Sequence, residues 1–170
     1  MRDIDLTIPA GAIFSDDRKY RYALWRIWNS FRPILIQISL NPSKADAIRS
    51  DPTVTRGVVR ANRNMFGGFI MGNLYALVST DPKKLLEDGE TIGLETDDYL
   101  RQMIELGDGK VLCGWGSFKP VPKRAPVVLA MIPNPYCLGV NADGQPKHPL
   151  YVGYNVPMIE YKKASYEENK

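Results

Sequence analysis

The sequence predicts an α/β fold in which a central sheet is covered by helices on both faces. Short apolar runs rich in β-branched residues recur along the chain, and segments with apolar residues at helical spacing lie between them. Strands that alternate with helices form a mostly parallel sheet, because each helix carries the chain back across one face before the next strand begins. We therefore expect a three-layer α/β/α sandwich with about four strands in the sheet and an N-terminal β-hairpin.

The first predicted element is the hairpin. Residues 12–14 and 20–28 are rich in aromatic and β-branched side chains, and the polar segment 15–18 between them is typical of a turn. The nearly continuous apolar run over 33–40 then predicts a buried strand. The pair Asp51-Pro52 predicts the start of a helix, because Asp is a favoured N-cap and Pro fits the first helical position.

This first helix is predicted to end near Met65, before a pair of glycines. Its apolar and basic residues fall on different faces, which is the pattern of a helix that packs one side against a sheet. The apolar face carries Val54, Val58, Ala61 and Met65, and the basic face carries Arg56, Arg60 and Arg63.

The alternation of strands and helices continues through the second half of the chain. A buried strand is predicted over 69–77, and Asp81-Pro82 repeats the Asp-Pro start for a short helix. The remaining elements are a helix over 94–106 that ends at Gly107, a strand over 110–115, a helix over 127–131 and a short strand over 137–140. We expect one domain over residues 1–161, followed by a charged, frayed tail over 162–170.

Composition narrows the class of protein. At 170 residues the chain is long enough for one domain with its own core, and no apolar run is long enough to span a bilayer. Cys113 and Cys137 are too few for a disulfide framework or an iron–sulfur cluster, and a single histidine is too few for a zinc centre. We expect a cytoplasmic protein that needs no metal or other cofactor.

The charge is small in sum and uneven along the chain. The formal net charge is +3, yet residues 16–63 hold ten Lys and Arg against four Asp and Glu, whereas residues 81–108 hold three against nine. Such a distribution is typical of a protein that turns one face toward an anion, nucleic acid included, and equally of two ordinary solvated surfaces. The expected partner is nucleic acid or a nucleotide, and no membrane.

Three polar residues stand at or near predicted strand ends, where open α/β sheets bind ligands. Asn41 follows the strand over 33–40 in an Asn-Pro-Ser turn, Asn73 lies inside the next apolar run, and His148 follows the last strand beside a proline. A buried amide must be hydrogen-bonded, so Asn73 either pairs with neighbouring backbone or binds a ligand with donors and acceptors, such as a base edge. The histidine is likewise either structural or a positioned imidazole.

Two carboxylates follow Asn41. Asp51 is accounted for as a helix cap, whereas Asp46 has no such role and is a candidate catalytic carboxylate. Arg56 and Arg60 either contact phosphates or solvate their helix. The sequence holds neither a Ser-His-Asp nucleophile elbow nor a glycine-rich phosphate loop.

Several motifs together resemble an uncharacterised family, the domain of unknown function sixteen-forty-three, over residues 12 to about 153. The motifs that carry this resemblance are Ala12-Ile13-Phe14-Ser15, Tyr20-Arg21-Tyr22, Leu24-Trp25, Leu40-Asn41-Pro42-Ser43-Lys44-Ala45-Asp46, Asp51-Pro52-Thr53-Val54, Asn73-Leu74-Tyr75-Ala76, Thr80-Asp81-Pro82, Trp115-Gly116 and Asp143-Gly144-Gln145-Pro146-Lys147-His148-Pro149-Leu150-Tyr151.

More distantly, the chain resembles the uracil-DNA glycosylase superfamily. Asn41-Pro42 stands in place of that superfamily's first motif, and Asn73 matches its base-reading Asn. His148-Pro149 matches the start of its second motif, with Leu150 near the wedge position. The resemblance implies that Asn73 binds a flipped base, that His148 stabilises the leaving base, and that the side-chain carbonyl of Asn41 orients a water.

The sequence thus predicts a DNA glycosylase-like hydrolase that cleaves the N-glycosidic bond of a deaminated or modified base. The predicted residues are Asn41, Asp46 and His148 in catalysis, Pro42, Ser43, Asn73, Tyr75, Pro149 and Leu150 in substrate binding, and Arg56, Arg60 and Lys147 in phosphate binding. Two alternatives stay open: a non-catalytic protein that binds a nucleotide or modified base, and a phage or defence enzyme that processes modified nucleotides. Because an amide cannot act as a general base, the position of Asp46 separates hydrolysis from binding.

Overall fold

A computed structural model describes residues 1–87 and 89–162, and these form seven strands and three α-helices. The strands are β1 (Ala10–Phe14), β2 (Arg21–Ile27), β3 (Ile34–Ser39), β4 (Gly68–Asn73), β5 (Lys110–Cys113), β6 (Asn134–Cys137) and β7 (Ile159–Glu160). The helices are α1 (Pro52–Arg63), α2 (Thr96–Leu106) and α3 (Val121–Leu129), and short 3₁₀ turns cover Pro82–Leu86 and Pro149–Tyr151. The predicted charged tail, from residue 163 onward, lies outside the described residues.

The seven strands belong to one mixed sheet with the order β1-β2-β4-β3-β5-β6-β7. Strands β4, β3, β5 and β6 are parallel to one another. In contrast, β2 pairs antiparallel with both β1 and β4, and β7 pairs antiparallel with β6. The prediction of a mostly parallel sheet of about four strands is therefore wrong. The predicted hairpin forms, but it widens the sheet beside β4, and the two-residue β7 is too short to leave a periodic signal in the sequence.

Helices cover both faces of the sheet, because side chains alternate between the two faces along each strand. On one face, Leu35 and Phe69 share a core cluster with residues of α1. On the other face, Ile36 and Ile70 share a cluster with residues of α2 and α3. We name the side covered by α1 the α1 face.

Helix α1 begins where the sequence predicts. The Oδ1 atom of Asp51 accepts a hydrogen bond from the backbone N–H of Val54 at 2.9 Å, and Pro52 occupies the first helical position. The end differs from the prediction, since α1 stops at Arg63 and Met65 follows with a φ of 65° and an exposed side chain. Met65 therefore does not belong to the buried face of the helix.

The later elements agree with the sequence prediction in type more than in position. Helix α2 ends at Gly107, as predicted. The last helix starts at Val121, whereas the sequence placed it over 127–131, because Pro122 and Pro126 interrupt its apolar spacing. Within the described parts of the chain, no helix is both long enough and apolar enough to cross a membrane.

The carboxyl ends of β3, β4 and β5 lie side by side. Ser39 is the register partner of Asn73, and Ile38 is the partner of Cys113. After β3 the chain continues through residues 41–50, which contain no helix or strand and which we name the 41–50 loop. Arg21 and Arg26 of β2 hold this loop, because their guanidinium groups donate to the carbonyls of Ala45 (2.8 Å) and of residue 46 (2.7 Å).

Candidate functional site

Asn73 is the last residue of β4 and lies at the carboxyl edge of the parallel strands, where open α/β sheets bind ligands. Its side chain is 2 % exposed. The sequence placed Asn73 inside a longer strand, but β4 ends there. Beyond it, the backbone N–H groups of Leu74 and Tyr75 donate to the carbonyls of Ser39 and Leu40 at the end of β3. Asn73 is therefore a terminal residue of the strand with a buried amide.

Three further polar side chains are buried near Asn73. Arg21 lies on β2, and its Nη2 is 3.9 Å from the Sδ atom of Met71 on β4. Gln37 of β3 is the register partner of Met71, and its Nε2 donates to the Oγ of Ser39 at 3.0 Å. We name these four side chains, Arg21, Gln37, Ser39 and Asn73, the buried polar cluster; each is at most 2 % exposed.

Four atoms of the buried polar cluster have no hydrogen-bond partner among the described residues. They are Nε of Arg21, Oε1 of Gln37, and both Nδ2 and Oδ1 of Asn73. In residues 1–87 and 89–162, the one other buried side-chain atom of this kind is Nε of Arg60. An unpaired buried polar atom lowers the free energy of unfolding by about 1–3 kcal/mol. Most of this destabilisation is therefore concentrated in the buried polar cluster.

Asn41 follows β3 and fastens a neighbouring segment. Its Nδ2 donates to the carbonyls of Ser79 at 3.0 Å, Pro42 at 3.2 Å and Leu77 at 3.4 Å. Its side-chain oxygen takes no part in these bonds, and the side chain is half-buried. Asn41 therefore holds the segment after β4 through its nitrogen, which leaves its oxygen to accept from water or a ligand.

The loop that carries His148 is tied to the end of β5. The Nε1 of Trp115 donates to the Oε1 of Gln145 at 2.9 Å, and the N–H of Gly116 donates to the carbonyl of Pro146 at 3.0 Å. Gly116 has a φ of 71°, which glycine adopts readily. These contacts bring His148 to the same edge of the sheet as Asn73.

The His148 imidazole is held as a hydrogen-bond acceptor at one nitrogen. Its Nδ1 accepts from the backbone N–H of Leu150 at 3.2 Å, which leaves the proton of the neutral ring on Nε2. Burial lowers the pKa of His148 below its ordinary value, and the negative charge of Asp51 opposes this shift. At neutral pH the ring is uncharged and offers Nε2–H as a donor.

Asp51 is the site residue that sequence reasoning passed over. It caps α1, as predicted, but its negative charge also acts on both Arg21 and His148. The carboxylate of Asp51 therefore interacts electrostatically with both the buried polar cluster and the imidazole. The signal in the sequence was the Asp-Pro pair itself, which has a sufficient explanation as a helix start and so did not indicate a second role.

Asp46, the predicted catalytic carboxylate, is engaged within its own loop. Its Oδ1 accepts from the backbone N–H groups of Ile48 (2.9 Å) and Arg49 (2.7 Å), and the guanidinium of Arg49 is 3.5 Å from Oδ2. The backbone bonds from Arg49 and Ile48 hold the pKa of Asp46 below its ordinary value. These contacts give Asp46 the role of a turn-forming residue in the 41–50 loop.

The predicted substrate-binding residues divide between the two faces of the sheet. Pro42 is buried and its carbonyl accepts from the N–H of Ser79 at 2.9 Å, while Ser43 is half-buried. Pro149 is buried beside β5, and Leu150 follows it. In contrast, Tyr75 belongs to the core cluster of the other face. Its hydroxyl donates to the carbonyl of Pro120, and burial raises its pKa.

The predicted phosphate-binding residues differ in access to solvent. Arg60 is fully buried, and its guanidinium donates to the carbonyls of Val152 (2.9 Å) and Gly153 (3.2 Å), so it joins α1 to the chain after His148. Arg56 is partly exposed and also donates to Val152, at 3.0 Å. Lys147 is exposed. Access therefore leaves Arg56 and Lys147 for an anion, whereas Arg60 has a structural role.

A large cavity in the described parts of the chain lies away from these residues. It measures about 770 Å³ and is bounded by the amino ends of β3 and β5 and the carboxyl ends of α1 and α2, including Ile34, Lys110, Phe66 and Leu106. None of the predicted site residues lines it. A ligand site in a sheet of this kind is expected at the carboxyl ends of the strands, where the buried polar cluster lies.

A family model described as a protein of unknown function, DUF1643, matches residues 21–150. The matched range begins at Arg21 and includes the buried polar cluster, the 41–50 loop, Asp51 and His148. No curated protein and no solved structure matches the chain.

Proposed function

The chain belongs to the DUF1643 family of proteins of unknown function, and we propose that it binds a nucleobase at the buried polar cluster. The observation that carries this proposal is the amide of Asn73, which is buried with neither its donor nor its acceptor paired. An amide pairs with a base through one donor and one acceptor side by side, as in the bidentate contacts of Asn and Gln with base edges. A bound base would supply both missing partners at once.

The 41–50 loop closes the proposed site. Ala45 of this loop is 2 % exposed and belongs to the core cluster of the α1 face, together with Met71, which precedes Asn73 on the same face of β4. Since the amide of Asn73 has no exposed surface, a ligand reaches it only when covering chain moves aside. The loop is suited to this movement, because hydrogen bonds from Arg21 and Arg26 hold it and no strand or helix does.

The substitution Asn73→Leu tests the proposal. Leucine has about the same size and removes two unpaired buried atoms, so we expect thermal stability to stay equal or rise. If the amide serves a ligand, binding of nucleosides measured by calorimetry falls about tenfold or more in this variant. Asn62→Ala, at an exposed position of α1, is the matched control and should leave both quantities unchanged.

A variant that loses stability while it keeps nucleoside binding would contradict the proposal, because Asn73 would then serve the fold alone. The proposal would also be overturned if the wild-type protein bound none of the four common nucleosides and none of their bases. Titration with a free nucleotide and with an oligonucleotide then separates the two sources of such a base.

The electrostatic interaction of Asp51 with His148 favours a second candidate function, hydrolysis of the bond between base and sugar. In this reaction the oxygen of a water attacks the anomeric carbon, and the carbon–nitrogen bond breaks with its electron pair going to the base. Asp51 would take the proton of the water, Asn41 would orient the water through its free oxygen, and Nε2–H of His148 would donate to the leaving base. Asp46 has no part in this scheme, since its carboxylate is held within its own turn.

The hydrolytic candidate is tested by an assay for abasic sites on oligonucleotides that carry uracil, hypoxanthine or a hydroxymethylated base. Asp51→Ser keeps an N-cap side chain and removes the carboxylate, so it separates chemistry from helix capping. We expect product from the wild-type protein and a loss of about 100-fold or more in Asp51→Ser and in His148→Ala. If both variants still form product, this assignment is excluded. If the wild-type protein forms no product but binds a base, binding is the function.

A further inference from the structure

Arg21 is buried without an acidic partner. Its side chain is 1 % exposed, its Nη1 donates to the carbonyl of Ala45, and its Nη2 contacts the sulfur of Met71. Among residues 1–87 and 89–162, no carboxylate forms an ion pair with it. A guanidinium presents its donors in a fixed fork, and the Nε–H of this fork has no partner on the protein.

The charge of Arg21 persists at neutral pH. Burial lowers its pKa to about 10, while the more distant negative charges of Asp51 and Asp46 oppose that shift. A buried cation is costly unless hydrogen bonds satisfy it. Arg21 therefore offers a charged donor at the edge of the buried polar cluster, where an electron-rich acceptor would relieve the cost.

The residues that carry the unpaired atoms of the buried polar cluster follow the order of their strands across the sheet. Strands β2, β4 and β3 are neighbours in that order, and they carry Arg21, Asn73 and Gln37. The open positions are accordingly a donor from Arg21, a donor and an acceptor from Asn73, and an acceptor from Gln37. Because Nε2 of Gln37 is bonded to Ser39, the register partner of Asn73, the amide of Gln37 is turned toward the Asn73 row.

With the amide nitrogen of Asn73 on the Arg21 side and its oxygen on the Gln37 side, a complementary ligand presents two acceptors followed by two donors along one edge. The guanine base has this order, with N7 and O6 as acceptors and N1–H and the 2-amino group as donors. Uracil alternates acceptor, donor and acceptor, so one of its oxygens would face the Oε1 acceptor of Gln37. Hypoxanthine lacks the 2-amino group and would leave Gln37 unpaired.

We propose that Arg21, Asn73 and Gln37 together bind the edge of a 2-amino-6-oxopurine, the base of guanine nucleotides. Arg21 donates to N7 or O6, a contact that arginine makes with guanine. Asn73 donates to O6 and accepts from N1–H, and Gln37 accepts from the 2-amino group. This assignment rests on the proposed function, that the buried polar cluster binds a base, and adds which base it is.

Analogues of the ligand test this proposal on the wild-type protein, so that folding of a variant does not enter. Guanosine is titrated by calorimetry beside inosine, 7-deazaguanosine and uridine. We expect guanosine to bind about tenfold or more tightly than inosine, which lacks the 2-amino group, and than uridine. We expect a smaller loss of affinity for 7-deazaguanosine, since its O6 remains available to Arg21.

The variant Gln37→Leu tests whether Gln37 causes the preference for guanosine over inosine. It removes the acceptor for the 2-amino group, so guanosine and inosine should bind this variant within about twofold of each other, while Asn62→Ala keeps the wild-type preference. Equal binding of guanosine and inosine by the wild-type protein would overturn the guanine assignment and leave base binding intact. Binding of no nucleoside at all would overturn the proposed function itself. Titration with guanosine monophosphate and with a guanine-containing oligonucleotide separates a nucleotide from a nucleic acid as the source.

Discussion

Two buried guanidinium groups show how the same residue type serves two purposes. Arg60 donates from its terminal nitrogens to the carbonyls of Val152 and Gly153 and lies over the ring of Tyr154, 5.6 Å from the ring centroid, so only its Nε lacks a partner. Arg21 contacts only one carbonyl and a sulfur, that of Met71, which precedes Asn73 on the same face of β4. Burial alone does not identify a functional residue, whereas several unsatisfied polar atoms on neighbouring strands favour a functional role.

The pKa of His148 can be measured directly, because it is the only histidine in the chain. We expect its NMR ring signals to titrate below the ordinary value of 6.5, since burial disfavours the charged ring. As the pH falls through 6.5, the unfolded chain binds a proton that the folded chain resists, so the free energy of unfolding decreases. This loss is absent above pH 6.5, where the ring is neutral in both states.

Denaturation in urea at two pH values checks the same effect on stability. His148→Gln removes the titrating group, so the fall in stability between pH 7.5 and pH 5 should be smaller in this variant than in the wild-type protein. A His148 signal that titrates above 6.5 would show that the ring is paired with a negative charge, with Asp51 as the nearest candidate.

At the scale of single elements, α1 owes its position to one small residue. A Cβ atom on Gly57 would lie 2.3 Å from the Cζ atom of Phe69 on β4, so the absence of a side chain lets the helix approach the sheet. Glycine inside a helix costs about 1 kcal/mol relative to alanine. The close approach of α1 to β4 compensates for this cost through the packing of the α1 face.

Gly57→Ala therefore tests which effect on stability is larger, the close packing of α1 on the sheet or the helix propensity of residue 57. Alanine favours the helix, but the added methyl group overlaps with Phe69, and overpacking of this kind costs about 1–3 kcal/mol. We expect a net loss of stability in urea denaturation. Thr55→Ala, at an exposed position of the same helix, should change stability by less than about 0.5 kcal/mol. A Gly57→Ala variant more stable than the wild-type protein would show that α1 has room to move away from the sheet.

Element type was predictable from local patterns, whereas element position was less so. The Asp51-Pro52 start of α1 and the Gly107 end of α2 were predicted correctly, because caps are local chemistry. The last helix was misplaced because prolines at its first turn and interior obscure the apolar spacing. The prediction that Arg60 lies on an exposed basic face of α1 was wrong, because the segment that buries it, around Val152, is distant in sequence.

At the scale of the whole molecule, one contact between distant segments places His148. A Cβ atom on Gly114 would lie 2.5 Å from the Cδ atom of Pro149, so the loop after His148 rests directly on the end of β5. The bonds of Trp115 and Gly116 to residues 145 and 146 hold the same loop. The imidazole therefore reaches the strand edge through tertiary contacts, and the glycine makes room for them.

Gly114→Ala should displace the His148 loop and thereby move the pKa of His148 toward its ordinary value, as solvent reaches the ring. NMR titration of the single histidine measures this change. Gly72→Ala is the matched control, because its added methyl group would lie 2.7 Å from the sulfur of Met103 on the opposite face of the sheet. The control should lower stability and leave the His148 titration unchanged. An unaltered titration in Gly114→Ala would show that the loop is placed by other contacts.

The sequence by itself determined the family, the α/β class, the hairpin, and the choice of Asn73 and His148 as candidate site residues. The family match over residues 21–150 confirms the resemblance that the motifs carry, while the likeness to uracil-DNA glycosylases stays a prediction. These features are local, since they depend on spacing, caps and short motifs within a few residues.

Only the tertiary structure decided the order of strands, the antiparallel edges of the sheet and the partners of each polar side chain. The sequence predicts a catalytic carboxylate at Asp46 and a helix cap at Asp51, yet Asp46 closes its own turn and it is Asp51 whose charge acts on His148. Arg21 and Gln37 were not predicted as site residues, because neither follows a predicted strand end. Whether a polar atom is paired depends on strands that meet across the sheet, and no local pattern records which strands those are.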